Sequence, residues 1–392
     1  MDMTFEEIQQ IEKESLMPTY GRFAACLEKG KGARAWDLDG KEYIDFTSGI
    51  GVNSLGFCDD GVVAAQEAQL QKIQHTSNLY YNSTQVLLAQ KLCTLTGFSK
   101  AFLCNSGAEA NEGAIKLARK YSFDTYGAGR ATVMTLKNSF HGRTITTLTA
   151  TGQDAFHQYF DPFTPGFVYA TPDIQSVKDA YDSTVCAILV EGIQGEGGVC
   201  PLDPDFVKDL RAFCDERDVL LVFDEVQTGV GRTGTLLCCE QFDIKPDIVT
   251  LAKGLGAGLP IGAFLCTDKL ATTLGAGMHG TTFGGNPVCC AGALEVLERV
   301  SQPDFLKTVQ EKGAFVRERL IKMPHVKEVR GMGLMIGIVT DLDAKAVASA
   351  CVANGLLILT AKTLLRLLPP LNIEQKDLDD GLAILENTLK SI

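Results

Sequence analysis

The chain has 392 residues, 45% hydrophobic and 21% charged, the profile of a globular protein long enough for two domains with substantial cores. Its 36 Lys and Arg against 48 Asp and Glu leave a formal net charge of −12 with no basic run, which argues against nucleic acid or an anionic membrane surface as partner. The 13 cysteines are scattered, with no Cys-x-x-Cys spacing and no Cys/His metal cluster, so free thiols in a reducing compartment are the simplest reading.

The N-terminus, MDMTFEEIQQIEKE, is acidic and helical over 5–14, unlike a signal peptide, and a soluble cytoplasmic protein is expected. Residues 32–46 read as a β-hairpin turning at Asp39-Gly40, followed by a glycine-punctuated loop at 47–57 and helices near 60–74 and 85–96. Residues 100–123 read as a short strand, a turn at Asn105-Ser106-Gly107, and a helix opening with Ala108. Free N–H groups at a helix start suit a phosphate, although a serine there also serves as an ordinary N-cap. A strand at 131–136 leads to a loop with Phe140 and Arg143. Another at 185–191 leads to EGIQGEGG, with Glu191, Gln194 and Glu196, and a helix follows at 205–216.

Two apolar runs, 219–223 and 248–252, are each followed at once by one functional side chain, Asp224 and Lys253. Such runs suit a parallel sheet covered on both faces, whose ligands sit beyond the carboxyl ends of the strands. Alone, the Asp is ordinarily a turn residue and the Lys a solvated one. Together in a cleft they suit pyridoxal phosphate: the lysine forms a Schiff base and the acid keeps the pyridine nitrogen protonated. The alternation of strands and helices predicts an α/β fold with a doubly wound sheet.

Beyond Lys253, residues 258–265 read as strand and loop, and 270–294 as too polar for a membrane span. One long helix is expected from 287 to 322. An α+β unit follows, closed by a helix with Leu378, Leu382, Leu385 and Leu389 on one stripe. The segment Gly229-Val230-Gly231-Arg232-Thr233-Gly234 matches G-x-G-x-x-G, which makes an NAD-dependent dehydrogenase the rival class. Its glycines begin five residues after Asp224, and no clean long helix follows.

The motifs SGAEANEGAIKLAR, FHGRT, QGEGG, FDEVQTGVGRTG, LAKGLGAGLPIGA and HGTTFGGNP run over nearly the whole chain. They resemble the class III aminotransferases of the pyridoxal-phosphate-dependent fold type I, most closely the bacterial members that use N-acetylornithine. The resemblance implies a large, doubly wound, mostly parallel sheet domain at 49–288 and a smaller α+β domain at 289–392, to which residues 1–48 contribute. It implies that Lys253 holds the cofactor, Asp224 pairs with the ring nitrogen and Gln227 reaches the ring hydroxyl. Phe140 and Val226 would sandwich the ring. Gly107 and Ala108 would bind the phosphate, joined by Thr282 from the partner subunit of a homodimer with shared sites.

The resemblance further implies that Arg143 takes the distal carboxylate of an ω-amino donor, with the neighbour's Thr281 nearby. For glutamate or 2-oxoglutarate, Arg366 would take the α-carboxylate, and Glu196 would cover Arg366 in the first half-reaction and swing away in the second. Gly49 stands where ornithine-specific members carry tyrosine. That leaves room for an acylated amine and favours N-acetylornithine over free ornithine, while succinyl-diaminopimelate also fits the space and an ornithine or 4-aminobutyrate ω-aminotransferase is the alternative. Phe57, Asp59-Asp60 and Gly192 depart from the family pattern, where His, His-Pro and Pro are usual, and Gly192 is expected to free the loop carrying Glu196.

Overall fold

The computed structural model describes residues 3–392; Met1 and Asp2, part of the N-terminal segment above, lie outside the described residues. A seven-stranded sheet runs in the order Lys100–Cys104, Gly262–Cys266, Ile248–Leu251, Leu220–Asp224, Val185–Val190, Thr132–Leu136, Phe167–Ala170. Gly262–Cys266 is antiparallel to both neighbours, whereas the pairings on the other side of Ile248–Leu251 are parallel. The reversal has a simple cause. A parallel crossover needs roughly a dozen residues and usually a helix. Residues 252–261 hold only the short 3₁₀ turn Lys253–Leu255, so the chain doubles straight back.

The central strands are buried from end to end, as their unbroken apolar sequences require. The expected elements are present with ends shifted by up to four residues, among them the helices Phe5–Ser15, Asp60–Leu70, Ser83–Thr96, Gly107–Tyr126 and Pro204–Arg217. Leu27–Lys31, Phe167–Ala170 and the helix Ile174–Ala180 were not anticipated. Their short, partly exposed segments lack a clean periodicity.

The expected single helix over 287–322 is two helices, Pro287–Val300 and Pro303–Leu320. Pro303 cannot donate to an intrahelical bond and holds Gln302 extended (φ −70°, ψ 131°), so the first helix stops and a second starts. C-terminal strands Val326–Met332, Met335–Thr340, Leu364–Leu367 and Leu359–Ala361 form an antiparallel sheet, while Leu356–Leu357 joins the N-terminal strands Leu27–Lys31, Arg34–Asp37 and Glu42–Asp45. The closing helix Gln375–Ser391 buries all four leucines of its stripe. Its Gly381 lets Phe46 pack so close that a Cβ would lie 2.4 Å from the ring.

The G-x-G-x-x-G segment opens no helix. It is a buried turn against the C-terminal unit: Arg232 donates through Nη1 to the carbonyls of Leu334 (3.1 Å) and Pro369 (2.5 Å), and its own carbonyl accepts from Leu334 N–H at 3.0 Å. These glycines serve packing rather than a pyrophosphate, which removes the dehydrogenase reading. Among the described residues no helix is long and apolar enough to cross a membrane.

Candidate active site

Leu220–Asp224 and Ile248–Leu251 pair in parallel with Asp224 opposite Thr250. Asp224 is the last residue of its strand and Lys253 opens the turn beyond the next one, so both side chains emerge at the same edge of the sheet. They line a cavity of about 470 Å³ together with Gly107, Ala108, Phe140, Arg143, Val226 and Gln227. Lys253 adopts φ +43°, sparsely populated for a side chain other than glycine and a conformation found at functional positions. Burial pushes its ammonium below the ordinary value, against the opposing pull of the Asp224 charge, and so favours the neutral, nucleophilic amine.

Asp224 is held on every side. Its Oδ2 accepts from Asn111 Nδ2 at 2.7 Å and lies 2.8 Å from His141 Nδ1, while Oδ1 accepts from the N–H of Val226 at 3.0 Å. Four elements converge here: the helix Gly107–Tyr126 supplies Asn111, the loop after Thr132–Leu136 supplies His141, and the two central strands supply the rest. Asn111 and His141 were not singled out as cofactor or substrate groups in the sequence. Asn111 lies one helical turn past Gly107, and that spacing was the available signal.

At the start of helix Gly107–Tyr126, Ser106 is an N-cap, its Oγ accepting from Glu109 N–H at 3.2 Å. The cap satisfies one first-turn donor and leaves those of Gly107 and Ala108 without intrahelical partners at the cavity wall. A Cβ on Gly107 would sit 2.6 Å from Val226 Cγ1, so glycine alone leaves this wall open.

Arg143 is exposed at the rim, its guanidinium 4.1 Å from the Phe156 ring centre and 5.5 Å from that of Phe140. Arg366 is buried. It stands opposite Gly337 in the C-terminal sheet and meets two residues of the cavity wall, with Nη1 2.5 Å from Glu196 Oε1 and 3.4 Å from Gln227 Oε1. Its Nε has no partner among the described residues.

Thr281, Thr282 and Gly49 stand apart from the cavity lining in the single chain. Thr281 Oγ1 accepts from Asn105 Nδ2 at 2.9 Å, Thr282 is exposed, and Gly49 (φ +59°) is exposed beside Asn53.

Gly192 does not free the loop after it. It is buried, its carbonyl accepts from Leu202 N–H at 3.0 Å, and a Cβ there would lie 2.8 Å from Cys238 Sγ. The next residues pair as a short hairpin, Ile193–Gln194 against Cys200–Pro201. The missing proline ring is replaced by packing.

The model of the family Aminotransferase class-III matches residues 16–389. The chain belongs to the class III aminotransferases. A curated acetylornithine aminotransferase of Haemophilus ducreyi is 50% identical over 394 residues, covering 100% of both chains. Another, of Caldanaerobacter subterraneus, is 47% identical over 97% of this chain and 98% of its own. Among solved structures, the ornithine aminotransferase of Toxoplasma gondii superposes with a TM-score of 0.95 at 33% identity over 99% of this chain and 96% of that one. The N-acetylornithine aminotransferase of Stenotrophomonas maltophilia gives 0.84 at 37% identity over 97% and 98%.

Pyridoxal phosphate is the cofactor of this family, and the residues of the cavity fit it. The buried Lys253 amine, with its lowered proton affinity, would suit the cofactor's aldehyde, the buried Asp224 carboxylate would suit a protonated ring nitrogen, and the opening left by Gly107 at a helix N-terminus would suit the phosphate.

Proposed function

We propose that this class III aminotransferase transfers the ω-amino group of N2-acetyl-L-ornithine to 2-oxoglutarate, giving N-acetyl-L-glutamate 5-semialdehyde and L-glutamate, a step of arginine synthesis. The observation that carries the reading is the joint emergence of Lys253 and Asp224 into one cavity, with Arg143 at the rim and Arg366 behind the wall, bonded to Glu196. Identity of 42–50% to curated acetylornithine aminotransferases supports the choice of donor, as does the absence of a side chain at Gly49.

Pyridoxal phosphate, when bound, supplies an electron sink for the substrate carbanion and carries the amino group between the two half-reactions. The chain supplies the rest. Asp224 keeps a negative charge at the ring nitrogen, Phe140 and Val226 hold the ring plane, Gln227 reaches the ring hydroxyl, and Gly107 and Ala108 anchor the phosphate through their N–H groups. Lys253 Nζ, as a neutral amine, would serve as the base that takes the proton from the donor's ω-carbon. Arg143 binds the distal carboxylate of the donor. Glu196 covers Arg366 while the donor is present and leaves it for the α-carboxylate of 2-oxoglutarate or glutamate.

The working form in this reading is a cytoplasmic homodimer in which Thr282 of the second copy completes the phosphate site and its Thr281 lies beside the donor. An apolar patch supports it. Asn78 Nδ2 ties its own loop to the carbonyls of Thr281 (3.2 Å) and Gly284 (3.0 Å), and the large apolar side chains of Leu79, Tyr80, Tyr81 and Phe283 on these two loops are exposed.

The test is a panel of amino donors, acetylornithine, ornithine, 4-aminobutyrate and succinyl-diaminopimelate, assayed for glutamate formation with 2-oxoglutarate. Acetylornithine is expected to give the highest kcat/KM, and a strong preference for free ornithine would overturn the reading of Gly49.

A further inference from the structure

Glu191 is a buried carboxylate at the cavity wall with no part in the chemistry above. It follows the strand Val185–Val190 as Asp224 ends its own, but it faces backbone instead of the ring site. Oε1 accepts from the N–H of Phe140 at 2.8 Å, and Oε2 accepts from the N–H of Gly195 at 3.2 Å. The first bond reaches the loop that carries Phe140 and Arg143. The second reaches the residue before Glu196, whose carboxylate lies 2.5 Å from Arg366 Nη1.

We propose that Glu191 is a positioning residue that holds Glu196 over Arg366, tying the gate-bearing loop to the loop of Phe140. The inference rests on the gating role of Glu196 proposed above.

Two N–H donors converge on two carboxylate oxygens, and only a carboxylate has an acceptor for each. In Glu191→Gln one acceptor becomes an NH₂ group that confronts an N–H. The bond to Gly195 is the longer of the two and is the one that yields. Losing it destabilises the covered arrangement of Glu196 on Arg366 and leaves the uncovered one untouched. A dicarboxylate that must displace Glu196 then binds more tightly, and the ω-amino donor, which needs Arg366 covered, reacts less well. A residue that merely stabilised the fold would weaken both.

Holoenzymes of the wild type, E191Q, E196A and the double variant are titrated with glutarate, which has the carbon skeleton of 2-oxoglutarate without the keto group. Visible absorbance reports binding, and single-turnover rates with acetylornithine are measured alongside. E191Q is expected to tighten glutarate by about three- to tenfold and to slow the acetylornithine half-reaction by a similar factor. In the E196A background E191Q should change neither quantity, because the gate it acts through is gone.

Unchanged or weakened glutarate binding in E191Q, or an equal effect of E191Q with and without Glu196, overturns the inference while leaving the gate intact. If E196A alone alters neither half-reaction nor glutarate binding, the gating role itself fails and this inference falls with it. Should E191Q not fold, E191D, whose shorter reach also gives up the longer bond, is expected to shift glutarate binding in the same direction.

Discussion

His141 Nδ1 lies 2.8 Å from Asp224 Oδ2, and both side chains are sealed from water. An ionised carboxylate only accepts, so the imidazole N–H must donate, which sets the tautomer and leaves Nε2 without a partner among the described residues. His141 thereby shares Oδ2 with Asn111 and fixes the orientation of the Asp224 carboxylate.

Replacing His141 with Phe removes that donor and leaves Asn111 alone on Oδ2. Cofactor affinity, followed by quenching of protein fluorescence on titrating apoenzyme with pyridoxal phosphate, is expected to fall about tenfold, and kcat by roughly ten- to a hundredfold. The Asn111→Ala change should act in the same sense, and the two should be non-additive because they share one oxygen.

Gly107→Ala introduces a Cβ 2.6 Å from Val226 Cγ1. The helix start cannot retreat without giving up its cap at Ser106, so Val226 must move away from its place in the cavity wall. A weaker dissociation constant for pyridoxal phosphate, by about ten- to a hundredfold, is expected in the same titration, with a change in thermal midpoint of the apoenzyme of only a few degrees.

Arg232 is buried with two carbonyl acceptors, and burial lowers its pKa to about 9 against the opposing charge of Asp45. Arg232→Ala strands the carbonyls of Leu334 and Pro369 and opens a cavity between the central sheet and the C-terminal strands. A loss of about 2–4 kcal/mol in apoenzyme stability by urea denaturation is expected. Because Pro369 lies three residues past Arg366, the KM for 2-oxoglutarate should also rise in material that still folds.

Burial lifts the Glu191 carboxyl to about 7, with the nearby Asp224 charge assisting. Its folded value is above the ordinary 4.5, so between these values the native state binds more protons than the unfolded one and stability falls as pH rises. The favourable contribution is complete below about 4.5 and lost above about 7, with an upper bound of about 3–4 kcal/mol. Comparing wild-type and E191Q apoenzymes by urea denaturation at pH 5, 6, 7 and 8 isolates this term. E191Q should lose the downward slope, and parallel curves would refute the assignment.

Much of this molecule is legible in the chain itself. The apolar runs ending at Asp224 and Lys253 report buried parallel strands because only a sheet covered on both faces tolerates such continuous hydrophobicity. The Ser106-Gly107 turn reports a helix start because capping is local, and the leucine stripe of the closing helix reports its buried face for the same reason. Those signals, with the family motifs, sufficed for the fold class and for the cofactor.

Tertiary structure alone decided the rest. The reversal of Gly262–Cys266, the use of the G-x-G-x-x-G turn as a socket for the C-terminal unit, and the burial of Gly192 against Cys238 all depend on what lies across the fold. The same holds for His141 and Asn111 meeting on Asp224, and for Glu191 joining two loops. Periodicity, caps and turns are set within a few residues of the chain. A hydrogen bond from residue 141 to residue 224 exists only after the sheet between them has closed.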